Sequence, residues 1–352
     1  MKHNLSKVTR MRRVSQLIKR WMKRLIKVTG SLLVILLLAG FIYQLVSTKM
    51  DDQKYSPPGK LVDIGGYKLH IHCTGKGSPT VVIDAGMGCN SLYWTLVQSD
   101  ISKFTRVCSY DRAGNGWSDE SPLERTSQNM VNELHTLLQM DSVSAPYLLV
   151  GHSFGGNNVR LYASLYPNEV SSMVLVDSSH EDQLEKMPVP SNVLISMLTN
   201  PHIAPFLASI GTTRLLTQLP AVQASMNIFP QDIQKMYWST LSTTKFAHTV
   251  TQEFKNLPIS LKHLKDAGGL LGDKPLTVIS AGKATFGKDT GYSQAVSDKL
   301  NQAWQLMQND LVTKSTHGIH RIAEHSGHMI PHEQPKIIVD AIREQIDALH
   351  LR

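Results

Sequence analysis

Residues 147–156 read YLLVGHSFGG. A short apolar run over 147–150 leads into Gly151-His152-Ser153-Phe154-Gly155-Gly156, and a helical pattern over 158–166 follows and stops before Pro167. Gly-x-Ser-x-Gly between a strand and a helix demands a sharp turn. The serine is held in a strained backbone, and glycines stand where a side chain would collide with neighbouring backbone. The turn also places Ser153 at the positive end of the following helix, which favours a developing anion. A Gly-rich turn closing an ordinary strand–helix unit is the plain alternative. The strand before and the helix after argue instead for a serine nucleophile.

Working outward, seven further runs have the length and composition of strands. Runs 61–64 and 67–73 flank Gly65-Gly66, a two-residue hairpin signal. Run 81–84 ends in Ala85-Gly86-Met87-Gly88, run 105–110 ends in Asp111-Arg112-Ala113-Gly114, and run 170–176 ends in Asp177. Run 276–280 and a weak run over 318–323 complete the set. Helical spacing lies between them: Met130, Val131, Leu134, Leu137 and Leu138 share one face, as do Ile338, Ala341, Ile342 and Ile346. Apolar strands alternating with helices predict an α/β fold with a mostly parallel eight-stranded sheet and helices on both faces. Residues 178–273 show no strand pattern, and an insertion of that size predicts a helical cap over the sheet's carboxyl edge.

The net charge of +8 is unevenly placed. Residues 1–29 carry ten Lys or Arg and no acid, which leaves 26 basic against 28 acidic residues elsewhere. The basicity belongs to a tail, so a nucleic-acid-binding face is not expected. The 18 residues 29–46 read TGSLLVILLLAGFIYQLV without a charge. They suffice for a short transmembrane helix. Ten preceding cations predict a cytoplasmic N-terminus and an extracytoplasmic domain at the cell membrane. A cleavable signal peptide is the rival, weakened by the long basic region and by the want of a small-x-small cleavage site. The expected division is a basic tail over 1–28, the membrane helix over 29–46, a linker over 47–59 holding Pro57-Pro58-Gly59, and one domain over 60–352.

The segment Tyr110-Asp111-Arg112-Ala113-Gly114-Asn115-Gly116-Trp117-Ser118-Asp119, with the GHSFGG turn, resembles the α/β-hydrolase fold family. The resemblance runs from about residue 61 to the C-terminus, the cap excepted. It implies a histidine base after the last strand, and Ser326-Gly327-His328-Met329-Ile330 followed by Glu333-Gln334-Pro335 points to His328. It implies an acid to orient that histidine. Asp177 is favoured and Asp289 is the alternative, because no acid follows directly on the run 276–280. It implies an oxyanion hole from the backbone N–H groups of Phe154 and Met87. Asp111 is expected to hold its loop rather than to do chemistry. Serine at 153 argues against epoxide hydrolase and haloalkane dehalogenase chemistry, which use a carboxylate nucleophile on this fold.

Three cysteines are too few for a disulfide scaffold. Under the family's strand order Cys73 and Cys108 would lie on neighbouring strands. Two buried free thiols are the favoured reading there, with a bridge as the alternative. No His/Cys/Asp cluster has metal-ligand spacing, and no cofactor is expected. The predicted function is a membrane-anchored serine hydrolase acting on a small acyl substrate. An aminopeptidase or amide hydrolase using Glu181, Asp182, Glu185 or Asp232 is one rival, and a non-catalytic binding protein on a hydrolase scaffold is another.

Overall fold

The computed structural model describes residues 2–187, 199–287 and 292–351, with side chains from residue 15. Eight strands form one sheet: β1 Lys60–Asp63, β2 Lys68–Thr74, β3 Thr80–Asp84, β4 Val107–Tyr110, β5 Tyr147–His152, β6 Val170–Val176, β7 Leu276–Ala281 and β8 Gly318–Ala323. Their order is β1-β2-β4-β3-β5-β6-β7-β8. The β1–β2 and β2–β4 pairs are antiparallel and the rest are parallel. Gly65 and Gly66 turn the first hairpin at φ +114° and +106°, a region open to glycine, and both N–H groups donate to Asp63 Oδ1 at 2.8 Å.

The central strands are apolar on both faces because both faces are covered. Val81, Ile83, Leu148 and Val150 pack with Val97 and Ile101 of α2 (Thr95–Ile101) and with Ile338 and Ile342 of the C-terminal helix Pro335–His350. Val82 and Leu149 point the other way, onto Leu134 and Leu137 of α3 (Ser127–Met140) and Leu161 of α4 (Phe154–Leu165). β8 reads weakly in the sequence because it is an edge strand, exposed or half-buried along most of its length.

Between β6 and β7 the described residues hold helices and no strand. The insertion expected to run to 273 ends earlier as a cap. Helix Leu257–Ala267 packs on α3 and α4, with Leu264 inside the core, so it belongs to the hydrolase layers.

Two further expectations change. The N-terminal helix α1 runs from Lys2–Lys54, 53 residues, so 47–54 is helix rather than linker. Nothing in that stretch breaks a helix; the break comes at Pro57-Pro58-Gly59. And Cys73 and Cys108 are bridged, not free. They are direct partners across the antiparallel β2–β4 pair, Cα atoms 4.0 Å apart, which brings the sulfurs together. Cys89 is free and buried, and burial pushes its thiol up to about 11.

Candidate active site

Strand β5 ends at His152, and Ser153 turns the chain into α4 with φ +51° and ψ −123°. That backbone is costly for a serine and persists only where the surroundings enforce it. They do so by close approach. A Cβ on Gly151 would stand 2.6 Å from Gly156 Cα, and one on Gly155 would stand 2.2 Å from the Asp84 carbonyl oxygen. The Ser153 N–H donates to the Val176 carbonyl at 3.1 Å, tying the turn to the end of β6.

The next residue, Asp177, also has a positive φ, +40°, and its N–H donates to the Ile279 carbonyl at 2.7 Å. Its buried carboxylate accepts from three donors. Oδ2 lies 2.6 Å from His328 Nδ1, and Oδ1 accepts from Ala281 N at 3.1 Å and Trp304 Nε1 at 3.0 Å. A carboxylate can only accept, so the His328 proton sits on Nδ1 and leaves Nε2 as an acceptor. Nε2 lies 3.0 Å from Ser153 Oγ. Serine, histidine and aspartate thus form one hydrogen-bonded chain. Asp289 lies outside the described residues.

The loop carrying His328 is pinned on several sides. The His328 carbonyl accepts from His152 Nε2 at 2.9 Å, Gly327 N donates to Glu333 Oε2 at 2.8 Å, and Lys283 N donates to the Ser326 carbonyl at 2.9 Å. Burial, then the nearby His328, lowers the His152 pKa to about 3. His152 therefore stays neutral, and its Nε2–H can serve that carbonyl.

The loop after β3 passes over Ser153. A Cβ on Gly86 would stand 3.3 Å from Ser153 Cβ. Buried Arg112 holds this loop from behind: Nη1 donates to the Ala85 carbonyl and Asp84 Oδ1, both at 2.6 Å, and Nη2 donates to the Gly86 carbonyl at 2.9 Å. Arg112 Nε also donates to Glu253 Oε1 of the cap helix Thr244–Lys255 at 3.0 Å. In a trans peptide the N–H points opposite to the C=O. With the Gly86 carbonyl turned to Arg112, the Met87 N–H faces the other way. Phe154 opens α4, where N–H groups lack intrahelical acceptors.

Sequence reasoning missed Arg112, Glu253 and Trp304. Arg112 sits in the quoted turn beside Asp111, and that position was the one available signal. Nothing local marks Glu253 or Trp304. Asp111 does hold its loop: it accepts from Ser91 N at 2.7 Å, Trp117 N at 3.1 Å and His70 Nδ1 at 2.8 Å. Three of the four acids offered for a free amino terminus are engaged elsewhere. Glu181 pairs with Arg160 at 2.6 Å, and Asp182 and Glu185 pair with Lys265 at 2.9 and 3.1 Å. Asp232 is exposed in the first turn of helix Gln231–Leu241.

A cavity of about 540 Å³ lies between the cap and the His328 loop, lined by Tyr93, Met226, Ile228, Trp238 and Met329 among others. A second, of about 590 Å³, lies at the C-terminal end of α1 beside Gln44, Tyr55, Trp117 and Lys245; Ser153 lines neither cavity.

The chain matches the family model for the alpha/beta hydrolase fold over residues 79–335 and belongs to that family. The Bacillus subtilis protein YqjL is 28% identical over 285 residues, 80% of this chain and 90% of YqjL. A vacuolar membrane protein of Saccharomyces cerevisiae is 30% identical over 138 residues, 34% of this chain and 21% of that protein. Among solved structures, the epoxide hydrolase CorEH superposes with a TM-score of 0.58 at 17% identity, covering 82% of this chain and 98% of CorEH. At that identity the likeness is one of fold.

Proposed function

We propose that the protein is a serine hydrolase cleaving carboxylic esters or related acyl bonds. The observation that carries this reading is the unbroken chain Ser153–His328–Asp177, with contacts of 3.0 and 2.6 Å. His328 Nε2 takes the Ser153 proton as Oγ attacks the acyl carbon. Asp177, held by Ala281 and Trp304, keeps the imidazole in the needed tautomer and offsets its charge. The oxyanion is received by the N–H groups of Phe154 and Met87, the latter oriented through Arg112. His328 then protonates the leaving group, and water activated by the same histidine releases the acid.

The apolar cavity beside Met329 suits an apolar acyl or alkyl group. Ester is favoured over aminopeptidase substrates because Glu181, Asp182 and Glu185 are already paired with the chain's own cations. Helix α1, long and apolar enough to cross a membrane, anchors the chain with its basic end in the cytoplasm and the hydrolase domain outside. The Cys73–Cys108 bridge suits an oxidising compartment.

The test is hydrolysis of p-nitrophenyl butyrate by the detergent-solubilised full chain, with fluorophosphonate labelling. Activity and label should both vanish in Ser153→Ala, and activity should vanish in His328→Ala. A folded wild type that neither hydrolyses the ester nor takes the label at Ser153 would move the reading to a binding protein.

A further inference from the structure

The apolar run of α1 contains one amide side chain, Gln44, and it is buried at 3% exposure. Gln44 Nε2 donates to the Ser242 carbonyl at 2.8 Å, and Gln44 Oε1 accepts from Arg214 Nε at 3.3 Å. Arg214, also buried, closes on Asp51 of α1. One turn below Gln44, Gly40 lies against the cap: a Cβ there would stand 2.5 Å from the Ile210 carbonyl oxygen. The Tyr43 ring fills the place beside Gly211, 2.9 Å from where its Cβ would be. Helix α1 and the cap are therefore docked along residues 40–51.

This docking fixes a depth. Between Lys27 and Lys49 the helix has 21 uncharged residues. At 1.5 Å per residue they span about 31 Å, one hydrocarbon thickness with nothing to spare. A helix that crosses the bilayer must use all of it. Gly40, nine residues before Lys49, then lies about 13 Å inside the outer boundary. Ile210 and Gly211 touch α1 at that level.

The cap surface around them is built for such a place. Residues 199–230 carry a single charged residue, the buried Arg214, against 18% charged across the chain. Ile203, Phe206, Leu215, Leu216, Leu219 and Ile228 are all exposed there. Runs of exposed apolar side chains on a soluble face are uncommon and mark a contact. Charged side chains are what a leaflet excludes most strongly.

We propose that the cap is a second membrane contact, with helix Ile203–Ser209 and the segment through Leu219 resting among lipid acyl chains of the outer leaflet beside α1. The proposal rests on the anchor reading of α1 and gives it a consequence. The hydrolase domain is held with its cap in the lipid, so an acyl substrate dissolved in the leaflet meets the cap first.

The test places a nitroxide on the full chain, reconstituted in phosphatidylcholine nanodiscs, through Phe206→Cys and separately Leu215→Cys. The native cysteines are bridged or buried, so the new thiol takes the label. Hydrolysis of p-nitrophenyl butyrate by each labelled variant checks folding. Leu36→Cys on α1 and Met140→Cys on the sheet domain are the reference sites. Collision with oxygen should exceed collision with a water-soluble nickel chelate at 206 and 215, as at 36, and the reverse should hold at 140. Lipid-like behaviour at 36 with aqueous behaviour at 206 and 215 would overturn the cap contact and leave the anchor standing. Aqueous behaviour at 36 would remove the anchor, and the proposal with it. Shielding from both agents at 206 would mean that protein, such as a second copy, covers this face, and would also overturn it.

Discussion

Ser153 and Asp177 directly follow neighbouring parallel strands, both at positive φ, and the Ser153 N–H donates to the carbonyl of the residue just before Asp177. The turns at Ser153 and Asp177 are thus hydrogen-bonded directly to each other. The sheet register sets the spacing into which His328 fits.

Asp177→Asn should keep the fold and lose about 10³–10⁴-fold in kcat, as expected where the orienting acid can no longer fix the imidazole tautomer. The amide retains an oxygen for the Ala281 and Trp304 donors. Ester kinetics beside near-ultraviolet circular dichroism measure both quantities. A folded variant with near-normal kcat would remove Asp177 from the proposed mechanism.

Arg112→Lys keeps the charge but loses the planar fork that reaches Ala85, Gly86, Asp84 and Glu253 together. The Met87 peptide should then lose its orientation. A fall in kcat of about 10²-fold is expected, the scale of one missing oxyanion donor. Fluorophosphonate labelling of Ser153 should slow in parallel. Unchanged kcat in the folded variant would mean that Arg112 serves stability alone.

The Cys73–Cys108 bridge closes a sequence separation of 35 residues. Chain-entropy reasoning for a loop of that length predicts a loss of about 3–4 kcal/mol in the double variant Cys73→Ser/Cys108→Ser. Thermal melts of wild type with and without reductant, and of the double variant, measure the effect. Identical melting in all three would show that the bridge contributes nothing to stability.

Among the described residues, His70 and Asp111 make the most enclosed ion pair, 2.8 Å apart with both side chains fully buried. Burial acts to lower the His70 pKa, but the Asp111 charge and hydrogen bond outweigh it, and the His70 pKa is raised. Burial likewise acts to raise the Asp111 pKa, and His70 with the Ser91 and Trp117 N–H groups leaves it lowered. A raised histidine stabilises fully below its unfolded value near 6.5 and loses that contribution as pH rises through the folded value. A lowered carboxylate stabilises above its unfolded value near 3.8 and loses it as pH falls through the folded one. The pair is therefore strongest between those two unfolded values. Melting temperature should decline from pH 6 toward 9 more steeply in wild type than in His70→Asn. Parallel curves would show that this pair does not set the alkaline limb.

The sequence alone determined the strand runs, the helix faces of α3 and the C-terminal helix, and the sharp strand-to-helix turn at Ser153. These are readable because their causes are local: alternation, helical spacing, and glycines demanded by backbone approach within a few residues. The loop around His328 was singled out by the resemblance to the α/β-hydrolase family rather than by a local pattern. The sequence also marked the charge-free stretch of α1, since hydrocarbon thickness is counted in consecutive residues.

Tertiary structure alone decided what depends on distant partners. Asp177 reaches His328 with two donors, Ala281 and Trp304, that lie 104 and 127 residues away in sequence. No local pattern encodes that convergence: the sequence favoured Asp177 and kept Asp289 as the alternative, and it is the packed sheet that brings these donors to Asp177. Cys73 and Cys108 became a bridge because β4 crosses over to pair with β2 in one register. Glu253 meets Arg112 from a helix 141 residues on, and Gln44 finds Ser242 across 198. A buried polar group requires a partner but does not name it in sequence; only the packed fold supplies one.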